Sequence, residues 1–321
     1  MSPSTPAPTR IRITDVSPRD GLQNESGVIP TADKVRLVEL LSKTGVDEVE
    51  VSSFVSVKWV PQLGDAAEVF ASLPDQASPV LSALVPNDRG MQGVLDVNFR
   101  AGRKQLSKIA VFTAASETFC SKNTNASIAE TIERFKPVVE IARREQLEIR
   151  GYISCVIACP FEGPIAPERV AAVARMLADI GIQEVDLGDT IGAGTRESVR
   201  AMLAAVEGEL GADWMRHDKV TLHLHDTFGR AAECVKAALE LGITSFDGSV
   251  AGLGGCPYAS TPGKRAPGNI STETLVRTIH DAGFTTGVDV AALEVAAAFA
   301  REIVATSRAR AAADPYRGGM A

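Results

Sequence analysis

The stretch I-R-I-T-D-V-S-P-R-D-G-L-Q-N-E, residues 11–25, begins as a β-branched run and ends in turn-forming residues. A strand near Ile11–Val16 with a loop behind it is expected. That loop lacks G-x-G-x-x-G spacing, so the chain does not open as a dinucleotide-binding sheet. Working outward, further strands are expected near Glu48–Ser52, Val80–Val85, Lys108–Phe112, Glu148–Val156, Glu184–Leu187, Val220–His225 and Ser245–Val250. Helical patterns fall between and after them, near Thr31–Lys43, Gln62–Ser72, Arg89–Ala101, Ser127–Glu145, Pro167–Ile180, Arg196–Glu207, Gly229–Leu241 and Thr272–Asp281. Strict alternation implies parallel strands joined by right-handed crossovers. An open doubly wound sheet could use the same units. The count of eight favours a closed (β/α)8 TIM barrel, for which about 250 residues is typical.

Thr31 and Ser127 are expected N-caps, with Glu130 completing a capping box. Gly45, Gly181 and Gly242 sit just past helix ends, where a left-handed residue is wanted. Gly192-Ala-Gly194 and Gly252-Leu-Gly254-Gly255 have neither dinucleotide spacing nor a P-loop lysine. A ninth, alanine-rich helical stretch, Ala291–Ala313, should pack outside the barrel or in a subunit interface. The domain reading is a disordered lead-in over residues 1–10 and one barrel domain over 11–321, with a C-terminal helical extension from about residue 285.

Composition removes several function classes. The net charge of −7 with no basic run disfavours nucleic acid and anionic membranes as partners. Five cysteines in 321 residues, none in C-x-x-C spacing, make neither a disulfide framework nor a zinc ribbon. The opening M-S-P-S-T-P-A-P-T has no apolar core of a secretory signal, and no apolar run reaches membrane-spanning length. A soluble protein of a reducing compartment, placed in the cytoplasm, is expected.

In a parallel barrel, reactive groups sit at the C-terminal ends of strands and in the loops beyond. His223 and His225, two of only four histidines, lie at i and i+2 and project from one strand face. They read as facial metal ligands or as a hydrogen-bonded core pair. Asp20, in Pro-Arg-Asp-Gly, reads as a turn residue or, at the end of the first strand, as a third group near that pair. With the amide oxygen of Asn269 the four would converge. Oxygen and imidazole donors without thiolate suit Mg²⁺ or Mn²⁺. Cys256 stands in a glycine-flanked loop, whereas Cys155, Cys159 and Cys234 read as small core fillers and Cys120 lies in the loop after strand four.

Together Arg19-Asp20-Gly-Leu-Gln23-Asn-Glu, S-S-F-V-S-V-K-W-V-P-Q (52–62), G-D-T-I-G (188–192), His223-Leu-His225-Asp-Thr and Gly-Gly-Cys256-Pro resemble the 3-hydroxy-3-methylglutaryl-CoA lyases. R-D-G and H-x-H also occur in related Claisen-type synthases. The S-F-V-S-x-K-W-V-P-Q stretch and the G-G-C-P loop are more specific to the lyases. The resemblance implies an acyl-CoA substrate, a divalent cation held by Asp20, His223, His225 and Asn269, and a homo-oligomer of two or more copies. It implies Arg19 as stabiliser of an enolate oxygen, Cys256 as general acid and His223 as base partner. Gln23 and Glu50 would orient these groups, Glu273 would support the Asn269 segment, and Ser53, Asp189 and Thr190 would line the pocket.

Two departures stand out. The segment between Cys256 and Asn269 is about four residues longer than in the familiar lyases. Asp186 stands where they carry a small hydroxyl residue. The rival reading is a synthase condensing acetyl-CoA with a 2-oxo acid, against which the loop cysteine and the lack of a long regulatory domain argue. A non-catalytic barrel is disfavoured because Arg19, Asp20, His223, His225, Cys256 and Asn269 are all present.

Overall fold

The computed structural model describes residues 9–75, 78–216, 218–255 and 268–313. Eight parallel strands close into a barrel in the order β1-β10-β9-β8-β5-β4-β3-β2. They are β1 (Arg12–Asp15), β2 (Glu48–Ser53), β3 (Val80–Leu84), β4 (Lys108–Ala114), β5 (Glu148–Ser154), β8 (Glu184–Asp189), β9 (Val220–Leu224) and β10 (Ser245–Gly248). A two-residue hairpin, β6 (Ala158–Cys159) and β7 (Gly163–Pro164), rises from the loop after β5. The helices are α1 (Thr31–Leu41), α2 (Ala66–Ser72), α3 (Asp88–Ala101), α4 (Glu117–Thr124), α5 (Ile128–Arg144), α6 (Pro167–Asp179), α7 (Arg196–Leu210), α8 (Ala231–Glu240), α9 (Thr272–Asp281) and α10 (Val290–Ala313). Among the described residues no helix is long and apolar enough to cross a membrane.

The expected TIM barrel with an added C-terminal helix is what the chain forms. Helix α10 packs outside the barrel against α1, burying Leu293, Ala296, Ala297, Ala300, Ile303 and Val304. The Ser127–Glu130 capping box forms as expected. Thr31 does not cap α1. Pro30 holds that position, and the Thr31 hydroxyl donates instead to Asp65 at 2.7 Å. Helix α2 begins at Ala66 rather than Gln62: Pro61–Leu63 form a separate 3-10 turn, in which the Gln62 side-chain amide donates to Gly27 O (2.7 Å) and accepts from Ile29 N (3.1 Å). Cys120 lies on a helix rather than in a loop: Ser116 caps α4 by accepting from Phe119 N at 3.1 Å.

Alternation along the strands separates two environments. Outward residues such as Ile13, Val49, Ile109, Val111, Ile149, Ile153, Val185, Leu187, Leu222 and Phe246 join the helices in one continuous apolar core. Inward residues are mostly charged. Arg12 (2.5 Å) and Lys108 (2.8 Å) both meet Glu48, Lys108 also meets Glu184 (2.5 Å), and Arg150 joins Glu184 (2.7 Å) to Asp247 (2.9 Å). Barrels of this kind ordinarily fill their interior with branched aliphatics. Here the filling is an ion-paired column. Burial alone would raise the Glu184 carboxyl, yet Arg150, Lys108 and Arg12 hold it down to about 2.

Such a column tolerates no vacancy, because removing one partner leaves a desolvated charge behind. Arg150→Ala should cost about 3–5 kcal/mol in urea unfolding. Breaking the exposed Lys136–Glu133 pair with Lys136→Ala should change stability by less than about 1 kcal/mol. A loss below about 1 kcal/mol for Arg150→Ala would mean that the column does not hold the barrel.

Candidate active site

The loop after β1 turns through one π-helical turn, Ser17–Gly21, in which Asp20 N and Gly21 N both donate to Val16 O. The widened turn sets Arg19 and Asp20 side by side. Gly21 is required there, since a Cβ would lie 2.9 Å from Leu253 Cβ and 3.0 Å from Ser249 Oγ. Arg19 donates through Nε to Glu50 (2.5 Å) and through Nη1 to Asp20 (2.7 Å). Its guanidinium lies over the Tyr152 ring, 5.4 Å from the centroid.

His223 projects from β9 and His225 from the residue just beyond it, with their Nε2 atoms 3.3 Å apart. His223 Nε2 is 4.0 Å from Asp20 Oδ2. Asn269 arrives by backbone pairing. Residue 225 bridges residue 269, Ile270 N donates to Leu224 O at 2.8 Å, and Asp226 N donates to Gly268 O at 2.9 Å. The Asn269 amide nitrogen points at Asp20 Oδ2 (2.8 Å) and Leu253 O (3.0 Å), so offering its oxygen as a ligand would take a half-turn of the amide.

The donor atoms of Asp20, His223 and His225 lie within 4.8 Å of one another. The two facing ring nitrogens can share one proton between them, and once that proton leaves, both lone pairs and the Asp20 carboxylate face a common point. The donor set therefore fits a divalent cation of the Mg²⁺ or Mn²⁺ kind. Beneath it, Asp247 Oδ2 lies 3.2 Å from His223 Nδ1, an arrangement that orients the ring and leaves Nε2 for an ion. Burial opposes ionisation of Asp20, but Arg19, both histidines and Asn269 outweigh it and hold the carboxyl down to about 2. Burial would lower His223, yet the Asp247 bond and the Asp20 charge raise it. Burial and the neighbouring His223 push His225 down to about 4.

Other sequence-predicted residues are placed differently. Gln23 is half-buried on the β1 loop. Glu50 lies under Arg19, and its Oε1 is buried with no hydrogen-bond partner among the described residues. Ser53 bonds Leu84 O at 3.3 Å. Asp189 accepts from Ala193 N (3.0 Å) and Gly194 N (2.7 Å), and Thr190 accepts from Cys155 N (2.8 Å). Those three side chains hold backbone. Glu273 accepts from Ala251 N at 3.0 Å, bracing the segment that leaves β10 rather than Asn269 itself. Cys256 lies outside the described residues.

Three residues escaped the sequence reading: Asp247, Tyr152 and Arg150. A usable signal existed for Asp247, which pairs in register with His223 on the adjacent strand and faces inward as His223 does. Asp186 is fully buried, 3.4 Å from Arg150 Nη1, and clusters with Asp247 and His223. Burial and then Asp247 push its carboxyl well above the ordinary value.

A closed parallel barrel with carboxylate, imidazole and arginine gathered at the strand ends defines a metal-dependent barrel enzyme. Residues 10–299 match the HMGL-like family model, and the chain belongs to that family of carbon–carbon lyases acting on acyl-CoA substrates. It is 46% identical over 286 residues to the Pseudomonas aeruginosa 3-hydroxy-3-isohexenylglutaryl-CoA/hydroxy-methylglutaryl-CoA lyase, covering 89% of this chain and 90% of that one. Its fold resembles a crystal structure of hydroxymethylglutaryl-CoA lyase from the same organism, with TM-score 0.85, 44% identity and coverage of 95% and 97%. It is also similar to an HMG-CoA lyase of Acinetobacter baumannii solved with coenzyme A and 3-methylmalate, at TM-score 0.83, 30% identity and 97% coverage of each chain.

Ion binding should depend on pH in a defined way. His223 holds its proton more tightly than free imidazole, while His225 is already neutral well below neutrality. An entering ion therefore displaces one proton. Mn²⁺ affinity should fall as pH drops below neutral, approaching about tenfold per unit. Calorimetry at about pH 6.5, the ordinary imidazole value, should show more than half a proton and no more than one released per ion. Release of two would contradict the neutral state of His225.

Proposed function

We propose that this protein cleaves the C2–C3 bond of 3-hydroxy-3-methylglutaryl-CoA, or of a close 3-branched analogue, to acetyl-CoA and the corresponding 3-oxo acid. The observation that carries the reading is the meeting of Arg19 with Asp20, His223 and His225 at one point of the barrel mouth. The Pseudomonas relative's name includes both a methyl- and an isohexenyl-branched substrate, which supports leaving the branch open.

Asp20, His223 and His225, with Asn269 as the proposed fourth ligand, would hold a divalent ion, which would supply Lewis acidity toward the substrate's oxygens. Arg19 stays charged because the Glu50 and Asp20 carboxylates outweigh its burial. Its guanidinium would stabilise the enolate oxygen of the departing acetyl-CoA. Glu50 and Tyr152 fix where that guanidinium sits. His223 was expected to serve as ligand and base. With Nδ1 on Asp247 only Nε2 faces the cluster, so the resting side chain is assigned as a ligand. Cys256 is proposed to give its thiol proton to the enolate carbon and to regain a proton from the one lost by the C3 hydroxyl, and Gln23 to orient the substrate.

An assembly of two or more copies belongs to this proposal. So does a cytoplasmic location. The buried free thiols of Cys120, Cys155, Cys159 and Cys234 support a reducing compartment, and the relatives' names include both cytoplasmic and mitochondrial.

Metal-loaded protein incubated with 3-hydroxy-3-methylglutaryl-CoA should release acetyl-CoA and acetoacetate in equal amounts, and chelation should stop it. If neither product forms from this or any 3-branched analogue, the lyase reading fails. Thiol release from acetyl-CoA with a 2-oxo acid would favour the synthase. Arg19→Lys should lower kcat about 10²–10³-fold, since a point charge cannot serve Glu50, Asp20 and the enolate with one fork. Cys256→Ser should lose about 10²-fold or more in kcat with little change in KM. Near-normal turnover in either variant would reassign that residue's role.

A further inference from the structure

One part of the barrel interior is not charged. Leu84, Ala110 and Tyr152 form a small buried apolar cluster separate from the main core, with Phe112 packed against it. They stand on β3, β4 and β5, held in register by the pairs Leu84 with Ala110 and Phe112 with Tyr152. Asp20 follows β1, His223 and His225 lie at the end of β9, and Asp247 lies on β10. In the barrel order, β5 is four strands from β1, β4 four from β10 and β3 four from β9, whichever way one counts. The apolar cluster therefore faces the metal cluster across the barrel.

The two faces come close. The Tyr152 ring meets His223 edge-on with centroids 6.1 Å apart, and the Arg19 guanidinium lies over the same ring. A substrate held by Arg19 and the metal ligands would lie beside Tyr152. Phe112 is half-buried and forms the upper part of the wall. Ala110 lies two residues deeper on the same strand face, 2% exposed, with Lys108 of the ionic column next below it. Alanine is the smallest side chain on that face of β4, so a larger residue at 110 would project further from the strand. An alkyl group has no favourable place among Glu48, Glu184, Arg150 and Asp247, because desolvating those groups against hydrocarbon is costly. The wall is the one inward surface among the described strand residues that an alkyl chain can cover without stripping charges of their partners.

We propose that this β3–β5 wall receives the substituent on C3 of the substrate, and that Ala110 and Phe112 set how long a branch the enzyme accepts. The inference rests on the lyase reading above and goes beyond it by assigning branch selectivity to two residues outside the ion-binding and proton-transfer groups.

The test compares kcat/KM for 3-hydroxy-3-methylglutaryl-CoA with that for an analogue carrying n-butyl in place of the C3 methyl, in the metal-loaded enzyme. Ala110→Leu should lower the butyl-to-methyl ratio about tenfold or more, since each methylene excluded from an apolar pocket weighs that much. Ala110→Val, a smaller intrusion, should lower it less and serves if the leucine variant does not fold. Phe112→Ala should raise the ratio. Mn²⁺ affinity should stay unchanged in all three, which separates a selective wall from damage to the ligand cluster. Ratios equal to wild type in Phe112→Ala and in a folded Ala110 variant would overturn the proposal while leaving the lyase reading intact. Cleavage of neither substrate by wild type would overturn both.

Discussion

Arg150 enters the barrel interior almost wholly shielded from water and meets Glu184 at 2.7 Å, Asp247 at 2.9 Å, Asp186 at 3.4 Å and Glu48 at 3.5 Å. A guanidinium is the one side chain that can serve several carboxylates at once from a fixed planar fork, and it cannot escape by losing its proton. Asp247, so held, keeps its charge against burial and turns its other oxygen to His223 Nδ1. The ion-binding site is thus the top of a column that begins with Arg12 and Lys108 at the opposite end of the barrel. Its geometry is set by strands, which position side chains more rigidly than loops do.

Apart from Lys108 on β4 and Arg150 on β5, the interior divides by chemistry. On the side of β1, β9 and β10 every inward group is polar and partnered to another, and on the side of β3 to β5 four residues present hydrocarbon and rings. Tyr152 belongs to both. Its ring carries Arg19 above one face, Arg150 lies 5.7 Å from the same ring, and its hydroxyl reaches Asp247 at 3.4 Å. A carbon–carbon lyase benefits from this division. Charge must develop on oxygen beside fixed donors, while the rest of the site stays closed to water that would reorganise around the anion.

The barrel was legible because eight β-branched runs alternate with helical patterns at ordinary spacing, and no glycine fingerprint competes. R-D-G and H-x-H were legible because both lie at strand ends, where a side chain's neighbours follow from topology. The column was not. Arg12, Glu48, Lys108, Arg150 and Glu184 alternate with aliphatic residues, and that period of two looks the same whether the charged face meets water or the inside of a closed barrel. Only strand closure tells the two apart. The resemblance implies Asp189 and Thr190 as pocket residues, and sequence does not reveal that both side chains also bond loop backbone. Nor does it reveal that the Gln62 amide finds partners 33 and 35 residues away.

The link from column to ion is the hinge of this account, and Asp247→Asn tests it with the least disturbance of shape. The asparagine keeps the size and an acceptor oxygen but removes the charge that orients His223. Mn²⁺ affinity of the folded variant, measured by calorimetry beside wild type, should weaken about 10–100-fold, as expected when the partner of a ligating histidine is altered. An unchanged affinity, in a variant whose unfolding remains cooperative, would show that the site does not depend on the charges beneath it.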